Sequence, residues 1–389
     1  MKITRWVIAV GLAVFGATIS MCAQSAAQNS MFLGQTPPGN KPVVFTLPVA
    51  AGSFAAERIA ISDDGREIIY QELDGYSDLD GQPHTIRMKR FTYANGQWHG
   101  PTVLFEELFC PALAGRGDTL LYQKGIREAY YSVREDGGWS APRRYLSGLK
   151  IAHYDQITDK GTRYIGSVAP NGVGGIDRCL LLIQGADTTV TSLGAPINTS
   201  VHDLDFFVAR DDSYMLVATP KGLCISYHKP EGGWTNPKNL GPVINFGLNS
   251  WGPFVTRDNQ YLFYTTGTKS DYSDTHVYWV TIAELIDRLK YTNFAPYVKA
   301  KPANQKGSVG KAFSYAIPEN AFFDDDGNNT LTITAALAGP TALPSWLRFD
   351  AGPRTFSGTP PQAGAYSIAV IATDTAGEKA ICTFKLEIE

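Results

Sequence analysis

Three short runs of this chain carry side chains able to do chemistry. His153 and Asp155 stand in one, His202 and Asp205 in another. Of these, His153, His202 and Asp205 could hold a metal ion, or pass a proton as acid and base. The third run is Asp324-Asp325-Asp326-Gly327-Asn328. Carboxylates at alternate positions, a glycine for the sharp turn and an asparagine gather several oxygens in a short loop. That suits Ca2+, which takes about six to eight oxygen ligands. The competing reading of the same residues is a solvated Asp-Gly turn. No GxSxG nucleophile elbow accompanies the histidines, which speaks against catalysis. Gly172-Val173-Gly174-Gly175 lacks the lysine and following helix of a phosphate loop. His84, His99, His228 and His276 fall on expected turns or outer strands and read as surface residues.

Such side chains need elements to hold them, and one phrase written five times supplies these. It reads ISDDGREIIY from Ile61, LAGRGDTLLY from Leu113, ITDKGTRYIG from Ile157, VARDDSYMLV from Val208 and VTRDNQYLFY from Val255. Each copy is an apolar strand, a turn rich in Asp, Gly, Lys, Asn or Arg, and a second apolar strand. The copies begin 44 to 52 residues apart. A period of about 40–50 residues holding several short strands marks a β-propeller blade. No blade buries its own faces, so the copies must close into a ring.

A second phrase, Trp-x-x-Pro, recurs at Trp98, Trp139 and Trp234, each time after a glycine-bearing turn. Glycine permits the positive φ of a tight hairpin. The tryptophan can pack between blades, and the proline suits an outer edge strand. The reading is five four-stranded blades within residues 43–290. Val43 to Leu47 has no blade of its own and is expected to give the last blade its outer strand. Ala283–Lys290 reads as a closing helix. Residues three and four positions before each copy should reach the channel mouth: Glu57 and Arg58, Phe109 and Cys110, His153 and Tyr154, Leu204 and Asp205, Trp251 and Gly252. The expected ligand-binding collar is Arg58, His153, Asp155, His202, Asp205 and Trp251, suited to a sugar or a peptide. Hydrated channel lining is the alternative.

The Asp-x-Gly hairpins, the Gly-Gly-Trp-x-x-Pro turns and the Leu-Gly-x-x-Ile-Asn segments at Leu193 and Leu240 resemble the WD-like propeller repeats of bacterial periplasmic proteins related to the Tol-system propeller. The resemblance implies a fold and no particular activity. After a linker at Asn293-Phe294-Ala295-Pro296, a different pattern runs from 293 to 389. Gly310 to Pro318, Phe323 to Asn328, Leu343 to Asp350, Thr355 to Pro360 and Ala372 to Gly377 resemble the dystroglycan-type cadherin-like domain, an immunoglobulin-like β-sandwich. Short alternating strands such as Ala365 to Ala372 agree. The resemblance implies that Asp324, Asp326 and Asp374 can join in one calcium site.

Bulk composition bounds the function. The 389 residues carry a net charge of −3 and 18% charged residues, with 38 Gly and 23 Pro. No basic field calls for nucleic acid. Lys2, Arg5 and the apolar run Trp6 to Ile19 read as an export signal over 1–27, with cleavage near Ser25-Ala26-Ala27 or Ala23. Cys22 raises lipid anchoring, although Met21 stands where that signal wants a small residue. No later run is long enough to span a membrane. Cys110, Cys179, Cys224 and Cys382 lack CxxC spacing and read as isolated buried thiols. The expectation is a non-enzymatic protein of the cell envelope, periplasmic, secreted or attached to the outer membrane. It would bind an envelope protein or a glycan. The alternative is a carbohydrate-active lyase or hydrolase with its site at the propeller mouth.

Overall fold

The computed structural model describes residues 31–76, 81–185, 187–339 and 341–389. The expected leader over 1–27, with Cys22, lies outside the described residues. The fold is all-β, ending in an immunoglobulin-like domain. Each of the five sequence copies lies within one antiparallel sheet. The first sheet is Phe54–Ile61, Glu67–Leu73, Ile86–Ala94 and Gln97–Glu106. The second is Phe109–Ala114, Thr119–Lys124, Glu128–Glu135 and Arg143–Tyr145, with Gly138–Trp139 as a short extra pairing. The third is His153–Ile157, Arg163–Ser167, Asp177–Gln184 and Asp187–Ser192. The fourth is Phe206–Val208, Tyr214–Thr219, Gly222–Tyr227 and Lys238–Asn239. The fifth is Asn249–Val255, Tyr261–Gly267 and His276–Thr281, completed by Val43–Val44 from the amino-terminal side.

The turn of the repeated phrase explains its composition. The fifth residue of each copy has a positive φ: Gly65, Gly117, Gly161, Asp212 and Asn259. Each donates its N–H to the carbonyl three residues back. Glycine, asparagine and aspartate tolerate that backbone best. The first strands of successive sheets lie side by side. Phe54–Ile61 touches Phe109–Ala114, which touches His153–Ile157, then Phe206–Val208, then Asn249–Val255, which returns to Phe54–Ile61.

Trp139 and Trp234 fill seams between sheets, as expected. The Trp139 indole donates to Glu67 of the first sheet at 3.1 Å, and the Trp234 ring meets Tyr164 of the third. Trp98 packs instead on Phe91 and Tyr93 of its own sheet. Val43 and Val44 pair with Trp279 and Tyr278, so the amino-terminal segment does complete the fifth sheet. Helix Ala283–Lys290 follows. In the carboxy-terminal domain, Gln305–Gly307, Lys379–Ile388, Gly364–Thr373 and Thr332–Leu337 form one sheet. Phe313–Ala316, Thr355–Gly358 and Leu347–Asp350 form another. Strict alternation along Lys379–Ile388 sends Cys382, Phe384, Leu386 and Ile388 into the core beside Phe313 and Phe356. All four described cysteines are free and buried.

Candidate functional site

Four of the five first strands carry a register break just before the repeated phrase, between Ala56 and Ala60, Phe109 and Ala112, His153 and Gln156, and Trp251 and Phe254. At each break one residue takes a positive φ: Glu57, Cys110, Tyr154 and Gly252. Such bulges re-aim side chains, and here they turn polar groups toward the place where the sheets converge. Gly252 is required there. A Cβ on it would stand 2.6 Å from the Arg58 nitrogen.

Two carboxyls meet at this point under different conditions. Asp205 accepts from His153 Nε2 at 3.2 Å, the Tyr154 hydroxyl at 2.9 Å and the Gly252 N–H at 3.0 Å. Gln123 Nε2 lies 2.8 Å from His153 Nδ1. The amide donates there, which assigns the imidazole proton to Nε2. Burial opposes the Asp205 charge, yet these donors outweigh it and hold the carboxyl below its usual range. Glu57 accepts from the Tyr76 hydroxyl at 2.8 Å and the Trp251 indole at 3.2 Å, with the Cys110 thiol 3.7 Å away. Burial and the Asp205 charge nevertheless push it from 4.5 to about 7.

A protonation difference of this kind makes stability depend on pH. The folded state binds the Glu57 proton more tightly than the unfolded chain, so stability falls as pH rises from 4.5 to about 7. Glu57→Gln is expected to flatten that part of the curve. Its Tm should exceed the wild type by several degrees at alkaline pH and match it in acid. Parallel curves in scanning calorimetry would contradict this.

The collar expected from sequence is only partly assembled. Asp205, Trp251 and His202 line one cavity of about 490 Å³, with Glu57, Tyr76 and Tyr272. His153 supports it from behind through Asp205. His202 accepts the Ile176 N–H at Nδ1, so it does not join His153 in a metal pair. Two placements are corrected. Arg58 is 2% exposed and lies in the core rather than at the mouth. It donates to the carbonyls of Cys110 at 2.8 Å and Pro111 at 3.1 Å, and lies 4.2 Å from the Tyr154 ring centroid. Asp155 alternates away from the mouth, pairs with Arg163 and accepts from Tyr145. Tyr76 and Tyr272 sit on loops between strands, beyond the reach of the repeat pattern.

The acidic loop does different work. Asp325 accepts from Lys229 Nζ at 3.1 Å and from the Asn236 N–H at 2.6 Å, both in the fourth repeat. Asp326 accepts from the Phe294 N–H at 2.5 Å, and Asp374 from Asn293 Nδ2 at 2.9 Å. Asp374 also holds the N–H groups of Ala376 and Glu378. Asp324 is buried, and one of its oxygens, Oδ2, has no hydrogen-bond partner. That orphan oxygen favours a cation. The charges of Asp326, Asp374 and Asp325 reach Asp324 as well, and after burial they raise its pKa. The arrangement fits a hydrogen-bonded clasp that fastens the linker and the fourth repeat to the last domain.

Comparison with known proteins bears on that domain. Residues 295–389 match the family model He_PIG, described as "Putative Ig domain". This segment is an Ig-like domain. Over 78 residues, 20% of the chain, there is 36% identity to the "Serine-rich adhesin for platelets" of Staphylococcus aureus (strain USA300). The chain spans only 3% of that relative's length. Among solved structures, an oligogalacturonate lyase in complex with manganese aligns with 62% of this chain and 68% of its own, at 14% identity and a TM-score of 0.35. An oligogalacturonate lyase from Vibrio parahaemolyticus aligns with 60% and 68%, at 12% identity and a TM-score of 0.34. Likeness at that level carries no chemistry across. Among the described residues no helix is long and apolar enough to cross a membrane.

Proposed function

We propose that this protein is an exported binding protein of the cell envelope. In this reading the five sheets form a closed, five-bladed WD-like propeller over 43–290, sealed by Val43–Val44. It serves as a rigid platform for a protein or glycan partner. Residues 293–389, read as a dystroglycan-type cadherin-like sandwich, act as a spacer or adhesive module. Partial identity with a platelet adhesin supports surface exposure. One observation carries the binding role: the cavity of about 490 Å³ lined by Trp251, Tyr76 and Tyr272 beside Glu57 and Asp205. Aromatic faces next to a few convergent polar groups are what a small-molecule or sugar site presents.

The test is a glycan array and an envelope pull-down with the mature chain and with Trp251→Ala. Binding lost in a variant that keeps the wild-type circular dichroism supports the platform, and equal binding removes it. A chelator arm tests the clasp. A fall in Tm with EDTA would support calcium at Asp324, Asp326 and Asp374, and an unchanged Tm would leave the hydrogen-bonded clasp alone.

The carbohydrate-active reading gains one specific observation. Environments that drive two neighbouring carboxyls apart, as at Glu57 and Asp205, also separate an acid from a base. Glycan cleavage by the wild type, abolished by Glu57→Gln, would turn the platform into an enzyme.

A further inference from the structure

We infer that the ligand groove extends beyond the axial cavity and selects an extended sugar chain free of anionic groups. This rests on the reading of the axial cavity as a ligand site. A second cavity of about 850 Å³ opens between the amino-terminal strand, the first sheet and the fifth. Tyr76 and Tyr272 line both cavities, with ring centroids 5.6 Å apart in an edge-to-face contact. The two hollows therefore adjoin at this pair. Each alone falls within the roughly 300–1,000 Å³ of a site for one small ligand. Joined, they suit an oligomer better than a monomer.

The charge of the walls sets the class. Among the described residues no lysine or arginine lines either cavity. Glu57, Asp203 and Asp205 face one, Asp74 and Asp271 the other. Asp203 is neutralised by the buried Arg178 at 3.2 Å. No lysine or arginine pairs with the others, although Asp74 meets the His84 ring at 3.1 Å and Asp205 the His153 ring at 3.2 Å. Asp74 is kept ionised chiefly by the Thr85 N–H, and Asp271 by the Ser273 N–H. The Arg58 guanidinium points into the core toward Cys110 and Pro111. A uronate or a phosphate would lose its water here and meet like charge, which costs it affinity. Sugar hydroxyls would instead donate to the carboxylates while ring faces stack on Trp251 or Tyr272. An extended peptide usually docks by adding a strand to an open sheet edge. The edge of the fifth sheet beside this groove is already taken by Val43–Val44.

The experiment is calorimetric titration of the mature chain with matched hexamers and dimers: a neutral glucan, N-acetylglucosamine, glucosamine and galacturonate, with a Lys-rich peptide as a further arm. The expected result is saturable binding of a neutral or amine-bearing hexamer, at least about tenfold tighter than its dimer. No saturation is expected with hexagalacturonate. Trp251→Ala and Tyr272→Ala should each weaken the hexamer by about tenfold or more while the far-ultraviolet circular dichroism stays that of the wild type. Asp271→Lys should let the uronate in. Equal or tighter binding of hexagalacturonate, or a dimer as tight as its hexamer, overturns the inference and leaves the platform standing. So does a peptide as the sole ligand that depends on Trp251. If no arm depends on Trp251, the inference and the binding reading fall together.

Discussion

Arg58→Ala should lower the stability of the chain by about 3 kcal/mol or more, the usual range for breaking a buried charged network. The side chain is almost fully enclosed. It starts in the first sheet, donates to two carbonyls of the second, and covers a tyrosine ring of the third. Removing it leaves two buried carbonyls short of a donor and opens a cavity under Tyr154. Arg58→Lys should recover only part of the loss, because an ammonium cannot reproduce the planar fork that meets both carbonyls. Urea denaturation reads both variants. A change within about 0.5 kcal/mol for the alanine, typical of an uncoupled surface site, would show that the core holds without it.

Phe45→Ala should cost about 3–4 kcal/mol, as large-to-small changes in a packed aromatic core do. Phe45 is 1% exposed. Its ring contacts Phe263 and Trp279 at centroid distances of 5.1 and 5.2 Å. Its N–H also donates to the Val277 carbonyl at 2.8 Å. The amino-terminal segment thus closes the fifth sheet by backbone pairing and by an aromatic plug, to which Phe32 adds a third ring against Trp279. A chain beginning after Leu47 should lose more than the single substitution and unfold at a lower denaturant midpoint. If it melts with the intact protein, the segment is an appendage and the fifth sheet stands without it.

The repeated phrase made the five sheets legible, because its turn demands a left-handed residue at one fixed position and its flanks are short apolar runs buried on both faces, as along Glu67–Leu73. Counting back from it reached Glu57, Cys110, Tyr154, Asp205 and Gly252, which do converge. Asp155, two residues before its copy and outside that count, turns instead to Arg163 and Tyr145. Strand alternation past a bulge depends on where the bulge falls, and that is set by neighbouring strands. Tyr76 and Tyr272 were invisible because loop conformation has no period. Invisible too was a network at the other end of these first strands. The third residue of each copy (Asp63, Gly115, Asp159, Arg210 and Arg257) meets there. Arg210 reaches Asp159 at 3.1 Å and the Gly115 carbonyl at 2.6 Å, and Arg257 reaches Asp63 at 2.6 Å and Asp159 at 2.8 Å. Residue types at one repeat position differ, so no pattern announced that their side chains would join. The donors that reach the acidic loop were also out of sight, because they lie far off in the chain, at Lys229, Asn236, Asn293 and Phe294.

Glu57 lies in the first sheet and Asp205 just before the fourth, and only the convergence of the first strands brings them within electrostatic reach. A double-mutant cycle of Glu57→Gln and Asp205→Asn at alkaline pH, read by denaturation, tests that convergence directly. Relief of one repulsion is counted in both single variants, so the double variant should fall short of additivity by about 1 kcal/mol or more. Additivity within about 0.3 kcal/mol, the mark of sites that do not touch, would contradict it.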